Sequence, residues 1–309
     1  MFLTVLIPAY NASRHLPAAL ESVLTQTHRD FELLVIDDGS TDDTVAILDR
    51  YARRDSRVRA LSQPNAGMGR TLNRGLELAR GEWVARLDAD DEMCPTRLER
   101  QVAFVREHPE VDLTATLVNY VDERGRVLAR STSDLTTPAG LDEALRKGEL
   151  IHVHHPAVMA RRSALLEAGG FRPEFWPADD VDLWNRLVER GGRVLVQPEH
   201  LTNYRVHGSS ACVASARRAT RKLEWVEACL RGRRAGKPEP TWDEFQAALS
   251  SRPLASRLNH ARRDVARAWY KAATLYFSER RYHRFVPALA GAAVLEPGYV
   301  LEKLGRTVK

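Results

Sequence analysis

The chain has 309 residues, 44% hydrophobic and 28% charged, a balance that suits a soluble globular protein with one large domain and an appendage. Its net charge of +5 hides a split: residues 1–212 carry 26 Lys and Arg against 32 Asp and Glu (−6), and residues 213–309 carry 20 against 9 (+11). Three scattered cysteines without a CxxC pair argue against structural zinc and for a reducing compartment, and no apolar run is long enough to span a bilayer.

The first half alternates strand and helix signals. Phe2–Pro8 reads as a buried strand, too short for a signal peptide. Leu16, Ala19, Leu20, Val23 and Leu24 then recur at helical spacing. Phe31–Ile36 is a second strand, followed by the turn Asp37-Asp38-Gly39-Ser40. Thr44 to Arg54 reads as a helix, Val58–Leu61 as a strand, residues 63–67 as a loop and Met68–Ala79 as a helix. Trp83–Leu87 is a strand running into Asp88-Ala89-Asp90-Asp91, and Pro95 opens the next helix. Strands separated by helices predict an α/β fold with a mostly parallel sheet covered on both faces. Such sheets bind ligands beyond the carboxyl ends of their strands. Asp37, Asp38, Asp88, Asp90 and Asp91 all fall there.

Between 110 and 212 the pattern is less regular. It reads as a strand over Val111–Tyr120, short helices over Leu141–Lys147 and Ser163–Ala168, a helix over Asp179–Glu189 and a strand over Arg193–Val196. From 213 the chain reads as basic helices, broken at Lys237-Pro238-Glu239-Pro240. From Leu254 a plain helical hairpin fits better than a lone tetratricopeptide-like unit, because a single repeat has no neighbour to bury its face.

The acidic run Asp88–Asp91 carries the main chemical signal. Three carboxylates at one strand end repel one another unless a cation offsets them. Mg²⁺ typically uses one or two carboxylates plus substrate phosphates, which points to a nucleotide-linked substrate. A second acidic centre opens the helix at Asp179. Asp180 precedes Leu183 and Trp184 by three and four residues and shares their inward face, while Asp182 aligns with Arg186 and Glu189 on the outer face. Asp180 is either a helix cap or a working carboxylate able to take a proton from a hydroxyl. His152, His154 and His155 do not read as a zinc site, since on a strand the first two share a face and the third points away. No P-loop and no GxSxG elbow is present.

Several of these segments, in this order, resemble the family 2 glycosyltransferases, inverting enzymes of the GT-A fold. They are residues 6–11, 22–27 and 31–42, then Asn65-Ala66-Gly67, Gly81-Glu82-Trp83 and Leu87-Asp88-Ala89-Asp90-Asp91. His155-Pro156, Gly169-Gly170-Phe171, residues 179–184 and Tyr204-Arg205-Val206-His207 continue the series. The resemblance implies a GT-A domain with a mixed, mostly parallel sheet over 1–212, and it leaves the basic helical region 213–309 outside. It implies that Pro8, Tyr10 and Asn11 border a nucleotide pocket. Asp38, supported by Asp37, would accept a hydrogen bond from the base, which favours the imide of uracil or thymine. Arg70 would approach the nucleotide and Asp88 the ribose. Asp90 would bind Mn²⁺ or Mg²⁺, with His207 as an added metal or diphosphate contact, and Asp180 would be the general base.

The implied partners are a nucleotide-sugar donor and a glycan or lipid-linked acceptor, in a cytoplasmic enzyme of surface polysaccharide assembly. Two alternatives stand beside that reading. A nucleotidyltransferase would show a glycine-rich, basic N-terminal loop where Pro8-Ala9-Tyr10-Asn11-Ala12 stands. A catalytically silent sugar or nucleotide binder would keep the fold, and loss of Asp90 or Asp180 would favour it. The basic region reads either as solvated helices or as a surface for an anionic partner such as the inner membrane face. It lacks the aromatic interleaving of nucleic-acid binders.

Overall fold

The computed structural model of the chain describes residues 1–206, 216–278 and 281–301. The fold divides into two compact units, Met1–Val121 with Arg130–Arg205, and Asp122–Ala129 with the residues from Val206 onward. The first unit opens with β1 (Leu3–Ala9), α1 (Leu16–Leu24), β2 (Phe31–Asp37), α2 (Thr44–Arg54), β3 (Val58–Ser62), α3 (Met68–Leu78) and β4 (Trp83–Arg86). After the acidic run come β5 (Glu92–Met93), α4 (Arg97–Glu107) and β6 (Leu113–Val121). The strand β7 (Val127–Arg130) precedes α5 (Pro138–Lys147), β8 (Val158–Arg161), α6 (Arg162–Glu167), α7 (Asp179–Glu189) and β9 (Val194–Arg205).

The strand order is β3-β2-β1-β4-β8-β6-β9-β5. The pairs β1·β2, β1·β4, β2·β3 and β6·β9 are parallel, and β8 and β5 bring the antiparallel pairings. The sheet is therefore mixed, with its parallel half leading. β1, β2 and β4 are buried along their whole length, as expected of parallel strands covered on both faces. Alternation assigns their side chains to two cores. Trp83 and Ala85 face Leu16, Leu20, Val102 and Val105 of α1 and α4, while Val84 faces Leu72, Leu76, Leu183 and Leu187 of α3 and α7. Because Ala9 pairs with Asp37 and Leu6 with Arg86, β1, β2 and β4 end along one sheet edge.

The strands β8 and β5 are short and were not expected from the sequence, and β9 runs well past Val196 to Arg205. The two residues of β5 carry too little periodicity to read. Gln26 is a structural residue: its amide donates to Ser22 O and Cys94 O and its oxygen accepts the Leu98 N–H at 3.0 Å.

The second unit is helical: α8 (Ala216–Arg234), α9 (Trp242–Ser250), α10 (Leu254–Ser278) and α11 (Tyr282–Leu295). The Lys237–Pro240 segment separates α8 from α9, and Thr241 restarts the helix with a capping box closed by Glu244. The expected hairpin is α10 against α11. Gly291 makes it possible, since a Cβ there would sit 1.8 Å from the Trp269 ring. No helix among the described residues is long and apolar enough to cross a membrane.

Candidate active site

Pro8, Tyr10, Asn11, Asp37 and Asp38, the residues expected to border a nucleotide, gather where β1 and β2 end. Pro8 is buried in β1, whereas Tyr10 is 54% exposed just past it. Asn11 adopts φ +48°, a left-handed conformation that Asn tolerates, and its side chain accepts the Thr41 N–H at 2.8 Å. Its own N–H donates to Ser40 Oγ, so the loops after β1 and β2 are tied together. Asp37 is buried and accepts the Ser40 N–H at 3.2 Å. Asp38 braces the loop before α3. Its Oδ1 accepts from Gln63 Nε2 at 2.7 Å and Ala66 N–H at 2.8 Å, and its Oδ2 from Gly67 N–H at 2.9 Å. Oδ2 thus keeps capacity for one further donor. Arg70 stands exposed in the first turn of α3.

The carboxylates of Asp88, Asp90 and Asp91 offer oxygens within 4.8 Å of one another. Neighbouring arginines hold this arrangement. The Arg86 side chain, 4% exposed, donates to Asp88 Oδ1 at 2.6 Å and to the Leu87 carbonyl, and touches Met68 Sδ at 3.7 Å. The Arg205 backbone N–H donates to Asp91 Oδ1 at 2.7 Å, its Nε to the Asp90 carbonyl at 2.9 Å, and its guanidinium to Glu92. Below them Arg97, fully buried, donates to the carbonyls of Pro156 (2.7 Å), Arg86 (3.0 Å) and Val158 (3.2 Å) and to Gln101 Oε1 (3.0 Å). Burial pulls its guanidinium down to about 9, with the Asp91 charge opposing, so it stays a cation at neutral pH.

The same crowding acts on the acids. Burial, then the Asp90 and Asp88 charges, pushes Asp91 well above the usual carboxylate range. Asp88 is raised by burial, with Arg86 opposing and Asp90 adding.

The base candidate comes from α7. Asp180 Oδ1 accepts the Val181 N–H at 2.8 Å, so it does take one of the orphan amides of the helix start. Its pKa is raised to about 6, by burial first, with helix amides lowering it, the Asp88 charge raising it and Arg86 lowering it. Asp180 therefore sits within the electrostatic reach of the acidic run. Asp179 is 4% exposed and raised to about 7 by burial and then by the Asp180 charge. Gly69 lets this carboxyl approach α3: a Cβ there would lie 3.4 Å from Asp179 Oδ2 and 3.2 Å from Pro173 Cα.

One expectation for α7 is corrected. Asp182 is fully buried, not on an outer face, and accepts from Arg172 Nε at 2.8 Å and Arg186 Nε at 2.9 Å. The chain around Gly170 and Arg172 covers that side of the helix, with Arg186 donating on to the Gly170 carbonyl at 2.6 Å. The histidines are not on a strand: His152 and His154 lie in irregular chain and His155 opens a single 3-10 turn before β8. His154 meets Tyr120 Oη at 2.7 Å and lies beside His152, whereas His155 packs between Phe171 and Trp184.

The acidic run fits a divalent cation on its donor chemistry: three convergent carboxylates, with Asp91 Oδ2 buried and without a protein partner. His207 lies outside the described residues. Sequence reasoning missed Arg86, Arg97 and Arg205. Arg86 left a signal, a cation inside an apolar strand two residues before Asp88. Arg205 lay inside the Tyr204-Arg205-Val206-His207 segment without a role assigned to it, and Arg97, which acts mainly through backbone carbonyls, left no signal.

The chain matches the family model "Glycosyl transferase family 2" over residues 4–169. It is 34% identical over 194 residues to the putative glycosyltransferase EpsE of Bacillus subtilis, covering 62% of this chain and 68% of that one. It is 33% identical over 188 residues to the chondroitin synthase of Escherichia coli, covering 61% of this chain but 26% of that larger protein. Among solved structures it resembles Staphylococcus aureus TarS 1–349 in complex with UDP-GlcNAc (TM-score 0.59, 18% identity, 97% of this chain and 91% of that one). It also resembles the mannosyltransferase PcManGT of Pyrobaculum calidifontis in complex with GDP-Man and Mn²⁺ (TM-score 0.57, 20% identity, 94% and 86%). With a family match over more than half of its residues, the chain belongs to glycosyl transferase family 2 and is a glycosyltransferase of GT-A fold.

Proposed function

We propose that the chain is a metal-dependent, inverting glycosyltransferase. It moves a sugar from a nucleoside diphosphate, with UDP or dTDP favoured, to a hydroxyl of a glycan or lipid-linked acceptor. The observation that carries this reading is the position of Asp180. It lies far along the chain from the acidic run, yet its neighbour Asp179 meets Gly69 of α3, next to Met68, against which the Asp88-bound Arg86 packs. A base and a diphosphate site within one another's field suit a single in-line displacement.

Asp180 takes the proton of the acceptor hydroxyl. The acceptor oxygen then bonds to the anomeric carbon as the bond from that carbon to the diphosphate oxygen breaks, and the configuration inverts. Asp90 is the proposed metal ligand, with Asp88 and Asp91 beside it; Mn²⁺ or Mg²⁺ held there would supply charge neutralisation for the departing diphosphate. Arg86 fixes Asp88 toward the ribose. Asp38 offers Oδ2 to the imide N–H of the base, and Pro8, Tyr10, Asn11, Asp37 and Arg70 line the nucleotide. The UDP-GlcNAc and GDP-Man carried by the two structural neighbours support a nucleoside-diphosphate donor, and the Mn²⁺ of the second supports the metal. A role in polysaccharide assembly is supported by 30% identity over 209 residues to the amylovoran biosynthesis glycosyltransferase AmsE of Erwinia amylovora. In this reading residues 1–212 are the catalytic domain of a cytoplasmic enzyme, and the basic residues 213–309 contact the anionic inner membrane face.

The test is a screen of labelled nucleotide sugars with Mn²⁺, followed by Asp180→Asn on the active donor. Loss of at least about a hundredfold in transfer with UDP binding retained is expected for removal of a general base. Full activity in Asp180→Asn overturns the assignment.

A further inference from the structure

Of the thirteen large hydrophobic side chains exposed among the described residues, eight lie between Leu254 and Leu301. Four lie on α10, and four, Tyr282, Val286, Val294 and Leu301, on α11 or just past it. From Phe285 to Leu295 this helix has eleven residues without a charged or hydrogen-bonding side chain, yet only Ala292 is buried. A helix that is apolar all round is ordinarily enclosed by protein. Here one side packs on α10 through Gly291 and Trp269, and the other lies open, with Val286 60%, Val294 80% and Leu301 69% exposed. Val286, Leu289, Ala293, Pro297 and Leu301 line an apolar groove of about 430 Å³ along that open side.

Charge decides what suits this face. His283 and Arg284 stand exposed in the first turn of α11 and Arg281 just before it, where cations oppose the helix dipole and add nothing to helix stability. The surrounding region, 213–309, carries +11. A second copy of the chain would bring the same positive region against it, whereas an anionic lipid surface attracts it. Length decides how deep it goes. At 14 residues α11 is about 21 Å long, shorter than the roughly 30 Å hydrocarbon core, so it lies in an interface and does not span one.

We propose that the open apolar face of α11, flanked by Arg281 and Arg284, inserts shallowly into an anionic lipid surface. This rests on the membrane-contact reading above and goes beyond it, since a purely electrostatic contact has no use for Val286 and Val294. The test is co-sedimentation of the full chain with vesicles of phosphatidylcholine alone or mixed equally with phosphatidylglycerol, at low and high salt. The comparison is with the double variant Val286→Asp/Val294→Asp. Both positions are exposed, and circular dichroism checks that helix content is kept. The wild type is expected to bind the anionic vesicles at least tenfold more strongly than the neutral ones. It retains part of that binding at high salt, and the double variant loses at least tenfold. Salt-sensitive binding that the double variant retains in full overturns insertion and leaves the electrostatic contact standing. No wild-type binding to either vesicle overturns both. A wild-type dimer in solution that the double variant dissociates assigns the face to self-association and ends the proposal. No nucleotide enters the assay, so its outcome is separate from that of the transferase reading.

Discussion

Asp179 and Asp180 are adjacent acids on one helix start, raised to about 7 and about 6, each by burial first. In the proposed mechanism the group that matters for catalysis is Asp180. As a base it must be ionised, so transfer is expected to rise with pH through about 6 and to level off above about 7. A pH profile of kcat/KM checks this, and a flat profile between 5 and 8 rules out Asp180 as the titrating base. For stability both groups act in the same sense. Their folded pKa values lie above the unfolded value near 3.8, so the folded state holds these protons more tightly. The stability they contribute is present below about pH 4 and is lost as pH rises through 6 to 7. The ligand-free protein is therefore expected to melt higher at pH 5 than at pH 8. Asp179→Asn should raise the pH 8 melting point and flatten the dependence, by at most about 4 kcal/mol at 1.4 kcal/mol per pKa unit. Thermal melts of both forms across pH measure it.

At the scale of elements, the site depends on a joint that no site residue forms. β4 and the turn entering β8 leave carbonyls at the core, and Arg97 of α4 collects three of them on one guanidinium. Lysine has the charge but not the planar fork. Arg97→Lys is expected to leave at least one of these carbonyls unpartnered and to cost about 1–3 kcal/mol. The readout is the denaturation midpoint at unchanged m-value. An Arg97→Lys protein as stable as wild type would show that water or rearrangement satisfies the joint. The sequence reading of the elements succeeded where periodicity was long: α7 was read as Asp179–Glu189 and α2 as Thr44–Arg54, as found. It lost β8 and β5, which exist because neighbouring strands need a partner rather than through their own pattern.

At the scale of the molecule, residues 1–212 carry a net −6 and residues 213–309 a net +11. An acidic crevice repels a nucleoside diphosphate unless a cation mediates. UDP with Mn²⁺ is therefore expected to raise the melting point, by about 2.7 kcal/mol of stabilisation at a hundredfold excess over Kd. Chelation by EDTA or Asp90→Asn should remove most of the shift. An equal shift with UDP and EDTA would show that the nucleotide binds without metal.

The amino-acid sequence by itself determined the parallel half of the sheet, the acidic strand ends, and the likeness of Asp88, Asp90 and Asp180 to a sugar-transferring family. These follow from local patterns, apolar runs and turn residues, which a chain carries whatever its distant parts do. Only the tertiary structure decided what surrounds those acids. Asp182 is buried because Arg172 and Arg186 close over it, and Asp38 braces a loop because Ala66 and Gly67 return to it. The open face of α11 is equally invisible in a string of apolar residues, since which side of a helix is covered depends on the neighbour that packs there.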